Sequence, residues 1–295
     1  MSDYFVIGSP ASEKLAKKIA KKLQAKYLKT VLKVFPDGES KLTILGHSTK
    51  GTIIIVSSTG PPVDSNLVQT LSLISKSREM SSDVIAVIPY MGYAKQDKEF
   101  LKGEIVTISV IAKLFKAAGA TRLIVVDFHS PDALNFFKLP TKNISAIPLF
   151  AEYFKNYKME NPLVISPDMF WKSNADRFAK TINATSIALN KQRDRKTGRL
   201  TIKSPLPKFS KIHDIILFDD MVSSGGSILK AIQFLKKQNF GKMYVACTHP
   251  VFVGDAEREI KKAGVTNIIG TNSIEGKFSK IDLSDIISQT IQGWH

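Results

Sequence analysis

The chain has a single cysteine in 295 residues. Cys247 cannot close an intrachain disulfide, and a reducing, cytoplasmic setting is the natural expectation. Its neighbours Tyr244-Val245-Ala246 make it read as a small buried hydrophobe. No apolar run reaches the roughly 18 residues that a membrane helix needs, so no membrane span is expected. Met1-Ser2-Asp3-Tyr4 lacks a basic stretch leading into an apolar one, so no secretory signal is read. Arginine is scarce as well. Of the 42 Lys and Arg residues, 7 are Arg, which leaves 35 Lys, and the net charge is +16. A nucleic-acid reader leans on Arg and gathers its charge in one stripe. Here Lys is spread over most predicted helices, so nucleic acid is not an expected partner. The densest patch (Lys14, Lys17, Lys18, Lys21 and Lys22) lies opposite Leu15, Ile19 and Leu23 and reads as the solvated face of an amphipathic helix. Such charge also attracts polyphosphate substrates.

What is present is an alternation of short apolar runs and amphipathic helices. Hydrophobic residues make up 43% of the chain, enough for a packed core. Strands are predicted at 5–8, 31–35, 53–56, 84–88 and 123–126, then at 163–165, 186–189, 215–218, 244–246 and 267–269. Helices fall between them: one from Ser9-Pro10, then 64–77, 107–118, 172–181, 227–237 and 255–262. Continuous Val/Ile runs between amphipathic helices imply parallel sheets covered on both faces. Two α/β domains are expected, 1–143 and 144–278. The tail 279–295 (Ile281, Leu283, Ile286, Ile287, Ile291) is able to pack back on either half and is grouped with the first.

The most informative segment runs from Ile215 to Ser227. An apolar run Ile215-Ile216-Leu217-Phe218 ends in Asp219-Asp220. The loop Ser223-Ser224-Gly225-Gly226-Ser227 follows, and then a helix with Ile228, Ile232 and Leu235 on one face. Glycines let the backbone turn with its N–H groups converging, and the helix dipole adds positive potential there. The serine hydroxyls add donors, and paired carboxylates accept from vicinal hydroxyls. A site that takes a phosphate together with a cis-diol suits ribose 5-phosphate.

Other polar groups also follow strands, where open α/β sheets bind ligands. Asp127-Phe128-His129 offers a ring nitrogen to a metal or phosphate. Ser166-Pro167-Asp168 offers a carboxylate of the kind that holds Mg²⁺. Tyr93-Ala94-Lys95-Gln96-Asp97 combines a ring, an amide and charges. Phe35-Pro36-Asp37-Gly38-Glu39 reads as a turn with an aromatic face and two acids. Asn190 to Arg199 is a cationic arm, with Thr197-Gly198 suited to its turn. Phosphoryl-type transfer needs such an arm, because negative charge builds on the transferring and leaving groups.

In this order, and over nearly the whole chain, these motifs resemble the ribose-phosphate pyrophosphokinase (PRPP synthetase) family. The resemblance implies two tandem type I phosphoribosyltransferase-like domains, each a mainly parallel sheet flanked by helices. It implies Mg-ATP and ribose 5-phosphate as substrates, AMP as a product, and self-association into a dimer or larger homo-oligomer. By motif, Phe35, Asp37, Gly38 and Glu39 would hold adenine from a neighbouring subunit, and Lys95, Gln96, Asp97 and His129 would complete the ATP site. His129 and Asp168 would serve Mg²⁺, and Lys191 and Arg193 the transition state. Asp219 and Asp220 would hold the ribose hydroxyls; Ser223, Ser224, Gly225, Gly226 and Ser227 would hold the 5-phosphate. Lys95 stands where the family commonly has Arg, so a bidentate contact becomes a point charge. Met169-Phe170-Trp171 replaces a small, glycine-containing run.

Overall fold

The structure is a computed structural model and describes residues 4–46, 51–193, 200–202, 212–238 and 240–294. The chain falls into two compact units. Unit 1 comprises residues 1–145, 272–276 and 282–295; unit 2 comprises 146–271 and 277–281.

Unit 1 opens with β1 (Tyr4–Gly8), α1 (Glu13–Lys22), β2 (Lys26–Val34), β3 (Ser40–Leu45) and β4 (Thr52–Val56). It continues through α2 (Val63–Met80), β5 (Val84–Ile88), α3 (Thr107–Ala118), β6 (Arg122–Val126) and β7 (Thr141–Ile144). Its sheet has the order β3-β2-β1-β4-β5-β6-β7, with β3 antiparallel to β2 and every other pair parallel. Ile53–Val56, Val84–Ile88 and Leu123–Val126 are buried throughout, because helices cover both faces of these central strands.

Unit 2 contains α4 (Ile147–Lys155), β8 (Leu163–Ser166), α5 (Lys172–Thr181), β9 (Thr185–Ala188), β10 (Lys191–Arg193) and β11 (Leu200–Ile202). Then come β12 (Ile215–Val222), α6 (Gly226–Leu235), β13 (Met243–Pro250), α7 (Ala256–Lys262), β14 (Asn267–Thr271) and β15 (Ser279–Ile281). Its parallel sheet has the order β15-β14-β13-β12-β8-β9. β10 and β11 form a separate antiparallel ribbon. The anticipated turn at Thr197-Gly198 lies outside the described residues. The final helix, α8 (Ser284–Gln292), belongs to unit 1.

Several elements differ from the sequence reading. The first helix begins at Glu13, and Pro10–Ser12 forms a separate short 3-10 turn. β3 has the alternation of an edge strand and pairs with β2 through Val34↔Ser40. β7 is short and polar; β6 recruits it, with the Leu123 N–H donating to the Pro140 carbonyl at 3.0 Å. α4 buries Ile147, Phe150, Ala151 and Phe154, a helical spacing that a longer window would catch.

All five lysines of α1 are exposed, as the amphipathic pattern predicts, and three of them also pair with acids of the returning chain. Lys18 pairs with Asp282 at 2.8 Å, Lys14 with Glu275 at 3.9 Å, and Lys22 with Asp285, while Lys17 pairs with Glu13 at 2.7 Å. Part of the α1 charge is therefore set against acids of the returning chain. This is also why residues 272–276, grouped by sequence with the second half, belong to unit 1: the Glu275 carboxylate accepts from the Leu15 N–H at 2.9 Å.

Candidate active site

In unit 2 the chain runs from β8 outward to β9, then returns to β12 on the other side of β8. The order of strands therefore reverses between β8 and β12, the position at which open α/β sheets form their ligand crevice. Asp168 follows β8. Asp219 and Asp220 lie at the end of β12, and Lys191 and Arg193 follow β9 on β10.

The two acids sit inside the strand, not in a loop beyond it. β12 runs on to Val222 because β13 pairs with it as far as Val222↔Pro250. On its other side β8 pairs only with Ile215, Ile216 and Leu217. The carboxyl end of β12 is thus laddered on one side only. Both acids are buried, Asp219 at 8% exposure and Asp220 at 3%. Local N–H groups hold them: Asp219 Oδ1 accepts from the Asp220 N–H at 3.0 Å, and Asp220 Oδ1 from the Met221 N–H at 2.8 Å. Burial, then the negative charges of Asp220 and Asp168, push the Asp219 carboxyl well above the usual range. Hydroxyl donors or a cation brought by a ligand would stabilise its charged form.

The loop after β12 is short. Gly225, at φ +77°, caps α6, and the Leu229 N–H returns to the Gly225 carbonyl at 2.8 Å. α6 begins at Gly226, so Ser227 lies within its first turn. The N–H groups of that turn have no intrahelical acceptors, which suits an anion.

Asp168 is half-buried. Its Oδ1 accepts from the N–H groups of Phe170 (3.1 Å) and Trp171 (3.4 Å), and the Ser166 hydroxyl donates to its carbonyl at 2.7 Å. Trp171 turns into the core, whereas Met169 and Phe170 are exposed.

In unit 1 the residues Phe35 to Glu39 form the β2–β3 turn. The Gly38 N–H donates to the Phe35 carbonyl at 2.9 Å, the Phe35 N–H to the Glu39 carbonyl at 2.8 Å, and the Glu39 N–H to Asp37 Oδ1 at 3.1 Å. Gly38 takes φ +92°, which a side chain resists. Phe35 is half-buried under the Lys33 ammonium, 4.8 Å from its ring centroid, while Asp37 and Glu39 are exposed.

Lys95, Gln96 and Asp97 follow β5, and His129 follows the adjacent β6. The Gln96 side-chain oxygen accepts from the Thr107 hydroxyl at 2.8 Å, which ties this loop to the start of α3. His129 follows a sharp change of direction at Asp127 (φ +37°), where the Asp127 N–H donates to the Ile144 carbonyl at 2.8 Å. The fold thus brings Lys95–Asp97 and His129 to neighbouring strand ends. It does not bring the Phe35–Glu39 turn to them: β1 and β4 lie between β2 and β5, a separation of about 14 Å at the usual strand spacing.

Unit 1 has its own reversal of strand order, between β1 and β4. The chain itself fills it. The Ser58 hydroxyl donates to the Ser273 carbonyl, and Glu275 occupies the start of α1 as an anion would. Sequence reading missed this, because Leu15 and Glu275 are 260 residues apart.

Residues 4–119 match the N-terminal domain of ribose phosphate pyrophosphokinase, and residues 201–293 match a phosphoribosyl synthetase-associated domain. A ribose-phosphate pyrophosphokinase of Methanobrevibacter smithii is 32% identical over 97% of this chain and 99% of its own. One from Sulfurisphaera tokodaii is 32% identical over 95% and 97% respectively. In fold, the chain matches phosphoribosylpyrophosphate synthetase from Mycobacterium smegmatis with a TM-score of 0.87, over 98% of this chain and 97% of that one, at 24% identity. The chain belongs to the ribose-phosphate pyrophosphokinase family. It is an enzyme of the transferase class, with two α/β sheets of that family's fold. No helix among the described residues is long and apolar enough to cross a membrane.

Proposed function

We propose that this enzyme makes 5-phosphoribosyl 1-diphosphate for nucleotide biosynthesis. It transfers the β,γ-diphosphoryl group of Mg-ATP to the 1-hydroxyl of ribose 5-phosphate and releases AMP. The observation that carries the reading is the unit 2 crevice, where two buried carboxylates stand one short loop from a glycine-capped helix start. Asp219 and Asp220 accept from the ribose hydroxyls. Ser223 to Ser227 and the first N–H groups of α6 bind the 5-phosphate. In unit 1, Lys95, Gln96, Asp97 and His129 bind the ATP.

The chemistry is positioning and charge stabilisation. Lys191 and Arg193 act on the charge that grows as the diphosphoryl group moves, so no side chain need become covalently bound. Mg²⁺ enters with ATP and lowers the charge of its phosphates. Asp168 would offer it a hard carboxylate oxygen, and His129 would serve the metal or the phosphate groups around it. Among the described residues no three His, Cys, Asp or Glu side chains gather around one point.

The wide gap between the Phe35–Glu39 turn and the β5 loop within one chain supports assembly into a dimer or larger homo-oligomer. In it, Phe35, Asp37, Gly38 and Glu39 of one copy serve the adenine bound by another.

The test is AMP formation from ATP, Mg²⁺ and purified protein, with and without ribose 5-phosphate. AMP that appears only with the sugar phosphate, in step with phosphoribosyl diphosphate, is the expected result. No AMP at any metal or phosphate concentration would favour a non-catalytic regulatory subunit, with Lys95 and Met169-Phe170-Trp171 as the first positions to revert toward the family pattern.

A further inference from the structure

Unit 1 holds a cavity of about 550 Å³ between β3 and α2, remote in sequence from every residue assigned above except the turn that precedes β3. Its origin is the edge position of β3. α2 buries Leu73, Ile74 and Ser77, while Leu42 and Ile44 on the edge strand stay only half-covered. Leu42, Ile44, Leu73 and Met80 give the apolar part of the lining, with Ser40, Thr43 and Gly46 on the strand side and Ser72 and Lys76 on the helix side. The volume lies within the range of small-molecule sites, which pair apolar walls with a few placed polar groups. Lys76 is the one charged side chain among the described residues that line the cavity. It also pairs with Glu79, yet an ammonium has three donors, so it can hold a second anion. With Lys76 as its one cation and Leu42, Ile44, Leu73 and Met80 in its lining, the cavity disfavours a polyphosphate, whose charge would lose its hydration there unpaired.

We propose that this cavity binds a small amphipathic anion: an apolar body between Leu42, Ile44, Leu73 and Met80, and one acidic headgroup at Lys76. β3 starts at Ser40, directly after Glu39, so the occupant would lie against the strand that leads out of the Phe35–Glu39 turn.

The probes are 8-anilinonaphthalene-1-sulfonate and its uncharged relative N-phenyl-1-naphthylamine, titrated by fluorescence into the full-length protein without ATP or ribose 5-phosphate. The readout therefore does not depend on the proposed reaction. Saturable binding is expected, tighter for the sulfonate. Ser72 is exposed on α2, and Ser72→Trp should plug the cavity and abolish saturable binding of both probes while the thermal transition stays in place. Lys76→Gln should weaken the sulfonate about threefold, as loss of an exposed ion pair does, and leave the neutral probe unchanged. Undiminished binding to Ser72→Trp would put the probe elsewhere and overturn the site. Equal losses for both probes in Lys76→Gln would overturn the headgroup assignment. Displacement of the probe by ATP or ribose 5-phosphate would assign the signal to the substrate sites and overturn the proposal.

Discussion

Gly225 and Gly226 are adjacent and chemically identical, yet replacing each by alanine should have opposite consequences. Gly225 has φ +77°, and a Cβ there would stand 3.1 Å from Ile260 Cδ1 and 3.3 Å from Ala256 Cβ. Holding an L-residue in the left-handed region costs about 1–2 kcal/mol. The α7 side chains must also give by a few tenths of an ångström. Gly226 is already helical, and its Cβ would meet nothing nearer than Ser224 Oγ at 4.0 Å. There alanine lowers the entropy of the unfolded chain and should be neutral or stabilising by up to about 1 kcal/mol. Thermal unfolding of the two variants separates these cases. Gly225→Ala should lose about 2–8 °C, from the usual 2–4 °C per kcal/mol for a chain of this order of size. Gly226→Ala should lose nothing. The KM for ribose 5-phosphate should rise in Gly225→Ala, because the cap sets the direction of the α6 N–H groups. A Gly225→Ala protein with unchanged Tm and KM would refute the claim that this cap is a strained, glycine-only position.

Lys191→Ala should lower kcat more than about a hundredfold, the typical effect of removing one preorganised charge donor; single-turnover rates near wild type would remove Lys191 from its role. Asp282 carries a pH signature. Burial raises its carboxyl pKa, but the Lys18 ammonium, the Ser284 N–H and the Asn272 amide outweigh burial and hold it at about 2. A depressed folded pKa gives stability that is present above the ordinary value of 3.8 and lost as pH falls through about 2. The urea midpoint of wild type should therefore exceed that of Asp282→Asn at pH 5, and the difference should shrink between pH 4 and 2; a constant difference would contradict the linkage. Burial, then the charge of Asp219, pushes the Cys247 thiol far up, so iodoacetamide should label it only after unfolding. Rapid labelling of the native enzyme would show that β13 opens locally.

Much of the architecture was legible because it is written in local patterns. Val/Ile runs such as Ile53–Val56 and Val84–Ile88 have no polar face, so they belong in covered parallel sheets wherever they fall. The Ile215–Ser227 segment carried the candidate site for the same reason: strand, paired acids, glycine turn and helix start are contiguous, and their chemistry follows from residue type and spacing. Elements without a strong pattern of their own were harder to read. β7, Thr141–Ile144, is polar at three of its four residues and is a strand because β6 offers it an unpaired edge.

By itself the sequence determined the α/β class, the order of the motifs and the residue types at each candidate position, because periodicity and turn chemistry act over a few residues. Tertiary structure alone decided that Asp219 and Asp220 lie inside a strand, since the length of β12 is set by its pairing with β13. It also decided that Glu275 fills the reversal point of unit 1, that Lys14, Lys18 and Lys22 of α1 pair with acids of the returning chain, and that Gly225 and Gly226 are different positions. Each depends on groups far apart in the chain meeting at contact distance, and no local pattern encodes such a meeting.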